Sequence, residues 1–279
     1  MTVGIACICD AEGDNPKAVV TADRMVTSGR VARREYEHTS SKMVSIIGED
    51  GDRPVTALAV GAGSVSLADE VLYKVRKYVQ SDTPQNTRDV AEHAVIALQQ
   101  VVQETINRQV LSPQGLSLET FNQMQNQMNP QVVQGTYQEM MEKKEEVLKQ
   151  VNILLAGVDD DGAHLYNILH NDMARSDSIG YLTVGSGAEP ANATFIRNRY
   201  DDTCDLTEAL LAVTEAKSQA EEAQGVGEEM DIAVLHGDGR EDLEEGEIEE
   251  LREVYNNVVR AENQARKEEL EENNYTFGL

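Results

Sequence analysis

The chain has 279 residues, 40% of them hydrophobic, and a formal net charge of −26. That suits one large domain or two small ones with a proper core, while the charge would repel a phosphate backbone and argues against nucleic-acid partners. Its longest apolar runs, such as Val151 to Val158, are too short to cross a bilayer, and the start lacks a basic region followed by a long apolar stretch, so a soluble cytoplasmic protein without membrane contact is expected.

Thr2 follows the initiator methionine and opens an apolar strand pattern that runs to Cys9. A threonine is small enough for the methionine before it to be removed, and a mature N-terminal threonine carries a nucleophilic hydroxyl and a basic amine on one residue. Position alone says little, since many chains begin Met-Thr. Further strands are predicted at Ala18 to Ala22, Met43 to Ile47 and Val55 to Val60. The Gly-, Asp- and Pro-rich segments 11–16 and 48–54 separate them, which gives two hairpins.

After Gly61-Ala62-Gly63, Ser66 is placed to cap a helix with Leu67, Val71, Leu72 and Val75 on its buried face. A second helix begins near Thr87 and buries Val90, Ala94, Leu98, Val101 and Val102. From Leu111 to Gln134 the chain turns rich in Gln, Asn and Met, broken by Pro113 and Pro130, and a charged helix is predicted over Tyr137 to Gln150. The methionines there suit ordinary packing of an extra helical excursion better than a partner-binding surface. Val151 to Val158 and Ala163 to Leu169 form a hairpin about the turn at Asp159-Asp160-Asp161-Gly162, an acidic run without the downstream glutamate of a calcium loop.

Ser178 to Val184 reads as a strand leading into Gly185-Ser186-Gly187, Leu206 to Ala220 as an amphipathic helix, and Met230 to Leu235 as the last strand. From Glu241 to about Asn273 a Glu-rich helix is predicted, whose apolar positions fade after Val259. Domain limits follow: one unit over residues 1–240 with an inserted helical connection at about 111–150, then an acidic helical extension over 241–279. Cys7, Cys9 and Cys204 cannot form a disulfide framework, and His38, His93, His164, His170 and His236 lack ligand spacing, so neither metal nor cofactor is expected.

Several segments in this order resemble the proteasome β-subunit family of N-terminal nucleophile hydrolases. They are the Thr2 strand, Val19-Val20-Thr21-Ala22-Asp23-Arg24, the Ser-x-Lys segment Ser40-Ser41-Lys42-Met43-Val44, Val60-Gly61-Ala62-Gly63, Leu154 to Asp159, Val184-Gly185-Ser186-Gly187, and Ala216-Lys217 before Met230 to Leu235. The resemblance implies an α+β fold, a four-layer αββα sandwich with two antiparallel sheets between helical layers. It further implies a threonine peptidase or amidohydrolase acting on a peptide or unfolded protein, assembled as a homo-oligomer, with a ring and a feeding ATPase or related subunits as family features. The acidic composition is similar to that of proteins from salt-accumulating archaea.

By the same resemblance Thr2 would attack the carbonyl, Lys42 would lower the pKa of its amine and hydroxyl, and Asp23 would keep Lys42 charged and oriented. The Gly61 amide would face the oxyanion, Ser186 would relay protons near the Thr2 amine, and Glu221 would replace the family's aspartate. Two departures stand beside this. Gln224 occupies the place of the family serine, and Val3-Gly4-Ile5 matches a common family tripeptide in a register that leaves the nucleophile position empty. The Thr2 register is preferred because it keeps Asp23 and Lys42. The alternatives are an inactive scaffold or assembly protein of the same fold and a stand-alone peptide ligase or transpeptidase.

Overall fold

The computed structural model describes residues 2–28, 34–37, 39, 41–48 and 54–272; Met1, His38, Ser40 and Asn273, all considered above, lie outside them. Strand β1 (Val3–Cys9) pairs antiparallel with β2 (Lys17–Asp23), and β3 (Met25–Ser28) with β4 (Arg34–Glu37) makes a separate two-stranded ribbon. Strands β5 (Met43–Ile47) and β6 (Thr56–Gly63) form the second expected hairpin. Helices α1 (Val65–Ser81), α2 (Thr87–Ile106), α3 (Leu118–Met124) and α4 (Pro130–Lys149) follow, then the hairpin of β7 (Val151–Asp159) and β8 (Gly162–Leu169), and β9 (Asp172–Arg175). The chain closes with β10 (Tyr181–Gly185), α5 (Ala188–Asn198), α6 (Leu206–Ala220), β11 (Met230–His236), β12 (Gly239–Asp242) and α7 (Glu245–Glu272).

Two five-stranded antiparallel sheets result, ordered β10-β1-β2-β11-β12 and β5-β6-β7-β8-β9. They pack face to face over Ala6, Ile8, Val20, Leu58, Val60, Leu154, Leu165 and Val184. Helices α1 and α2 cover the outer face of the second sheet through Val71, Val75, Leu98 and Val101, with α4 against α2. Helices α5 and α6 cover the first sheet, and α7 rests on α6. This is the αββα sandwich. It explains why β1 and β2 read as continuous apolar runs rather than alternating ones, since both of their faces are covered.

Along β1 the alternation divides the work. Val3, Ile5, Cys7 and Cys9 enter the core beneath α5 and α6, and Ala6 and Ile8 the core between the sheets. Thr2, directly before β1, therefore falls on the inter-sheet side. Gly4 shares that side for a reason of space: a Cβ there would lie 2.7 Å from Val60 Cγ1.

Several elements differ from expectation. The cap of α1 is Ser64, and its side chain makes no capping bond. The charged helix starts seven residues early because Asn129 caps it ahead of Pro130, whose fixed φ suits the first helical turn. The last helix begins at Glu245, because Gly239 to Asp242 pairs with β11 as an edge strand. Between α2 and α3 the chain continues through a π-turn over Asn107–Leu111 and a 3-10 turn over Ser112–Gln114, which ends at Gly115 with φ +71°. Among the described residues no helix is long and apolar enough to cross a membrane.

Candidate active site

The end of β2, the start of β5 and the residue ahead of β1 converge at one edge of the inter-sheet space. Lys42 donates from Nζ to Thr2 Oγ1 at 2.8 Å and to Asp23 Oδ1 at 2.9 Å. Thr2 is 4% exposed and Asp23 fully buried. A buried carboxylate is tolerated only when its charge is paired and its lone pairs are filled. Here Oδ1 also accepts from the Val3 amide at 2.9 Å, and Oδ2 from the amides of Met25 at 3.1 Å and Gly227 at 3.2 Å. Asp23 thus ties together β1, the start of β3, the segment ahead of β11, and Lys42.

The Thr2 main chain is held from the other side. Its carbonyl accepts from the Ser186 amide at 2.8 Å and from Ser186 Oγ at 3.4 Å. Gly185 makes this approach possible: its φ is +94°, and a Cβ on it would lie 2.0 Å from the Thr2 carbonyl oxygen. The neighbouring Gly187 has a related steric role, because a Cβ there would meet Val3, Ala220 and Val226 at about van der Waals overlap, 2.9–3.0 Å.

Four of the six expected site residues, Thr2, Asp23, Lys42 and Ser186, therefore lie in one bonded group. Gly61 sits near the end of β6 with its Cα turned toward α1, where an added Cβ would be 2.7 Å from Ala68 Cβ. The glycine lets strand and helix approach closely. Glu221 lies at the C-terminal end of α6, and its Oε1 accepts from Lys217 Nζ at 2.5 Å and from Arg252 Nη2 at 3.0 Å.

Sequence reasoning gave Lys217 no role. The side chain is fully buried and donates further to the carbonyls of Gly227 at 2.7 Å and Glu228 at 3.0 Å. Burial pushes its pKa down, opposed by Glu221 and by the charge of Asp23. The available signal was a lysine on the same helical face as Val213, Ala216 and Ala220, where an apolar residue belongs.

A second polar cluster lies at the other end of the β7–β8 hairpin. His164 is buried between two carboxylates, with Nδ1 2.7 Å from Asp177 Oδ2 and Nε2 3.2 Å from Asp159 Oδ1. These partners raise its pKa to about 9 against the cost of burial, and the His164 contact helps hold both aspartates below their ordinary value. Asp159 also accepts from the amide and hydroxyl of Thr87, which anchors the start of α2 to the hairpin. Cys7 and Cys9 are buried, and burial raises the pKa of both thiols, Cys9 to about 12, so they stay protonated.

A family model for the proteasome subunit matches residues 116–235. A proteasome subunit beta from Halomicrobium mukohataei is 33% identical over 90 residues, which is 32% of this chain and 37% of that protein. The matched stretch thus spans little more than a third of that relative. Among solved structures, a Gly-1 mutant of Anbu from Hyphomicrobium sp. strain MC1 superposes with a TM-score of 0.63 at 13% identity, covering 96% of this chain and 97% of that one. Anbu from Yersinia bercovieri, described as an ancestral β-subunit, gives 0.61 at 10% identity over 93% and 94%. At such identities these two show the shared fold. Residues 116–235 are thus similar to the proteasome subunit family whose motifs the sequence resembles, and the αββα sandwich is the fold shared with the Anbu structures.

Proposed function

We propose that this proteasome β-subunit-like chain is a threonine peptidase whose nucleophile is Thr2, made active by removal of Met1. One observation carries the reading: a single ammonium, Lys42 Nζ, bridges the Thr2 hydroxyl and a fully buried aspartate. The positive charge lowers the cost of forming alkoxide character on Oγ1, and Asp23 keeps that charge in place.

In the reaction, Thr2 Oγ1 attacks the carbonyl carbon of the scissile peptide bond while the Thr2 α-amine accepts the hydroxyl proton, directly or through water. The carbonyl oxygen becomes an oxyanion, for which the Gly61 amide is the candidate donor, a contribution of roughly 3 kcal/mol when well aimed. Collapse of this intermediate breaks the C–N bond, and the leaving amine takes the proton. Water then hydrolyses the ester on Thr2, regenerating hydroxyl and amine. Ser186 contributes by fixing the Thr2 carbonyl, so that hydroxyl and amine keep one orientation. No cofactor enters this chemistry. Action on peptides or unfolded proteins in the cytoplasm, homo-oligomeric assembly, a ring and a feeding ATPase rest on the resemblance alone.

Intact-mass measurement of the purified protein tests the first step, because a retained Met1 blocks the amine and sinks the enzyme reading. With Met1 absent, a threonine-directed covalent inhibitor is expected to add once to the wild type and not to Thr2→Ala. A wild type that forms no adduct instead supports the second reading, an inactive scaffold of the same fold. That reading is favoured by Gln224 in place of the family serine and by a Glu221 carboxylate occupied with Lys217 and Arg252.

A further inference from the structure

Lys217 reaches Asp23 through one short peptide segment. Its Nζ holds the carbonyls of Gly227 and Glu228, and the amide of that same Gly227 donates to Asp23 Oδ2. Anchoring a residue's carbonyl restricts where its N–H can point, so the lysine sets the direction of one of the donors on Asp23. Its third acceptor, Glu221 Oε1, also receives Arg252 of α7, which in turn donates to the Glu228 carbonyl. A continuous hydrogen-bonded line therefore runs from the C-terminal helix through Arg252, Glu221, Lys217, Gly227, Asp23 and Lys42 to Thr2 Oγ1.

A simpler account makes Lys217 a clamp on the end of α6. Burying an ammonium is a costly way to achieve that, since desolvation takes several kcal/mol per ion before its contacts repay it. The end of α6 is already closed by the Glu221 amide on the Lys217 carbonyl. What the ammonium adds is a fixed position for residues 227 and 228, and Asp23, which accepts from the Gly227 amide, is also the buried partner of Lys42.

We propose that Lys217 is a positioning residue for Asp23, acting through residues 227–228, and that Arg252 extends this control to helix α7. The inference rests on the peptidase reading for its consequence in catalysis, although the effect on Lys42 is measurable without turnover. Asp23 held in place keeps the Lys42 ammonium charged and directed at Thr2; Asp23 released weakens that pair.

The test compares wild type, Lys217→Met and Arg252→Ala as full-length proteins. The titration of Lys42 is followed by NMR of 13Cε-labelled lysine, with the signal assigned by its loss in Lys42→Arg, and the rate of adduct formation with a threonine-directed inhibitor is recorded against pH. Removing a neighbouring positive charge would by itself raise the Lys42 midpoint. Loss of Asp23 positioning lowers it, so the sign separates the two effects. We expect a fall of about one pH unit in Lys217→Met with a 10- to 100-fold slower adduct rate, and a smaller fall with a three- to tenfold slower rate in Arg252→Ala. A folded Lys217→Met whose Lys42 midpoint is unchanged or raised overturns the proposal. Should that variant fail to fold, Arg252→Ala decides alone by the same sign. If the wild type forms no adduct, the peptidase reading falls while the Lys42 titration still decides the positioning role.

Discussion

The carbonyl oxygen of Thr2 occupies the space that a side chain on Gly185 would need, 2.0 Å from where a Cβ would be. Gly185→Ala must move one of the two, and its φ of +94° is unfavourable for any L side chain. We expect a loss of about 2 kcal/mol or more in a denaturant melt, and a larger proportional loss in the rate of Thr2 modification, because the displaced group is the main chain of the proposed nucleophile. Equal activity per folded molecule would separate Gly185 from the site.

Asp23→Asn keeps the shape of the side chain and removes its charge. The variant leaves the Lys42 ammonium without its counter-charge and turns an NH2 toward backbone donors at one of the two oxygen positions. Breaking a buried pair from one side is expected to cost about 3 kcal/mol or more, and adduct formation on Thr2 should fall at least 100-fold. Thermal melts and inhibitor kinetics on the same preparation check both.

Lys42→Arg addresses geometry at constant charge. A guanidinium is planar and bulkier, with its donors fixed in a rigid fork, so it does not reproduce the compact point from which the ammonium reaches Thr2 Oγ1 and Asp23 Oδ1. The fold is expected to persist, since the counter-charge remains, while the rate of Thr2 modification falls by two orders of magnitude or more. A rate within threefold of wild type would show that charge alone suffices.

The His164 cluster predicts a pH dependence of stability that is separate from activity. The folded pKa of His164 is raised from 6.5 to about 9, so its contribution is complete below pH 6.5 and is lost as pH rises through about 9. Asp159 and Asp177 are shifted down, so their contribution is complete above about pH 4 and is lost as pH falls further. Both statements describe the same attraction, and Arg175 beside Asp177 shares in it. The stability difference between wild type and His164→Gln, on the order of 2–3 kcal/mol at pH 6, is expected to shrink toward pH 9. A difference independent of pH across that range would assign His164 a packing role only.

The charge of −26 gives a salt prediction. Self-repulsion between exposed carboxylates is screened over about 3 Å at 1 M salt against about 8 Å at 0.15 M. The melting temperature should therefore rise on going from 0.15 M to 2 M potassium chloride, which a thermal melt at each concentration would show.

Much of this fold can be read from sequence, and the residues show why. β1, β2, β6, β7 and β11 are apolar on both faces and bounded by turn residues, so each carries its own signal. β9 and β12 are short, polar edge strands, stabilised by a neighbour rather than by their own pattern, and they give no such signal. α5 was missed because it is short and interrupted by Pro190, with Ala191, Thr194 and Phe195 as its buried side. In the site, Asp23 and Lys42 stand at strand ends where motifs are recognisable. The contact of Glu221 with Arg252 spans 31 residues and two helices, which helical periodicity cannot foresee.

The three amides on Asp23 come from Val3, Met25 and Gly227, the last 204 positions away along the chain. A ribosome releases Thr2 first and Gly227 some two hundred residues later, so a nascent or truncated chain carries Thr2 and Asp23 without one of the amides that hold that carboxylate. The set of donors around Asp23 is therefore complete only once the two ends of the sandwich have met.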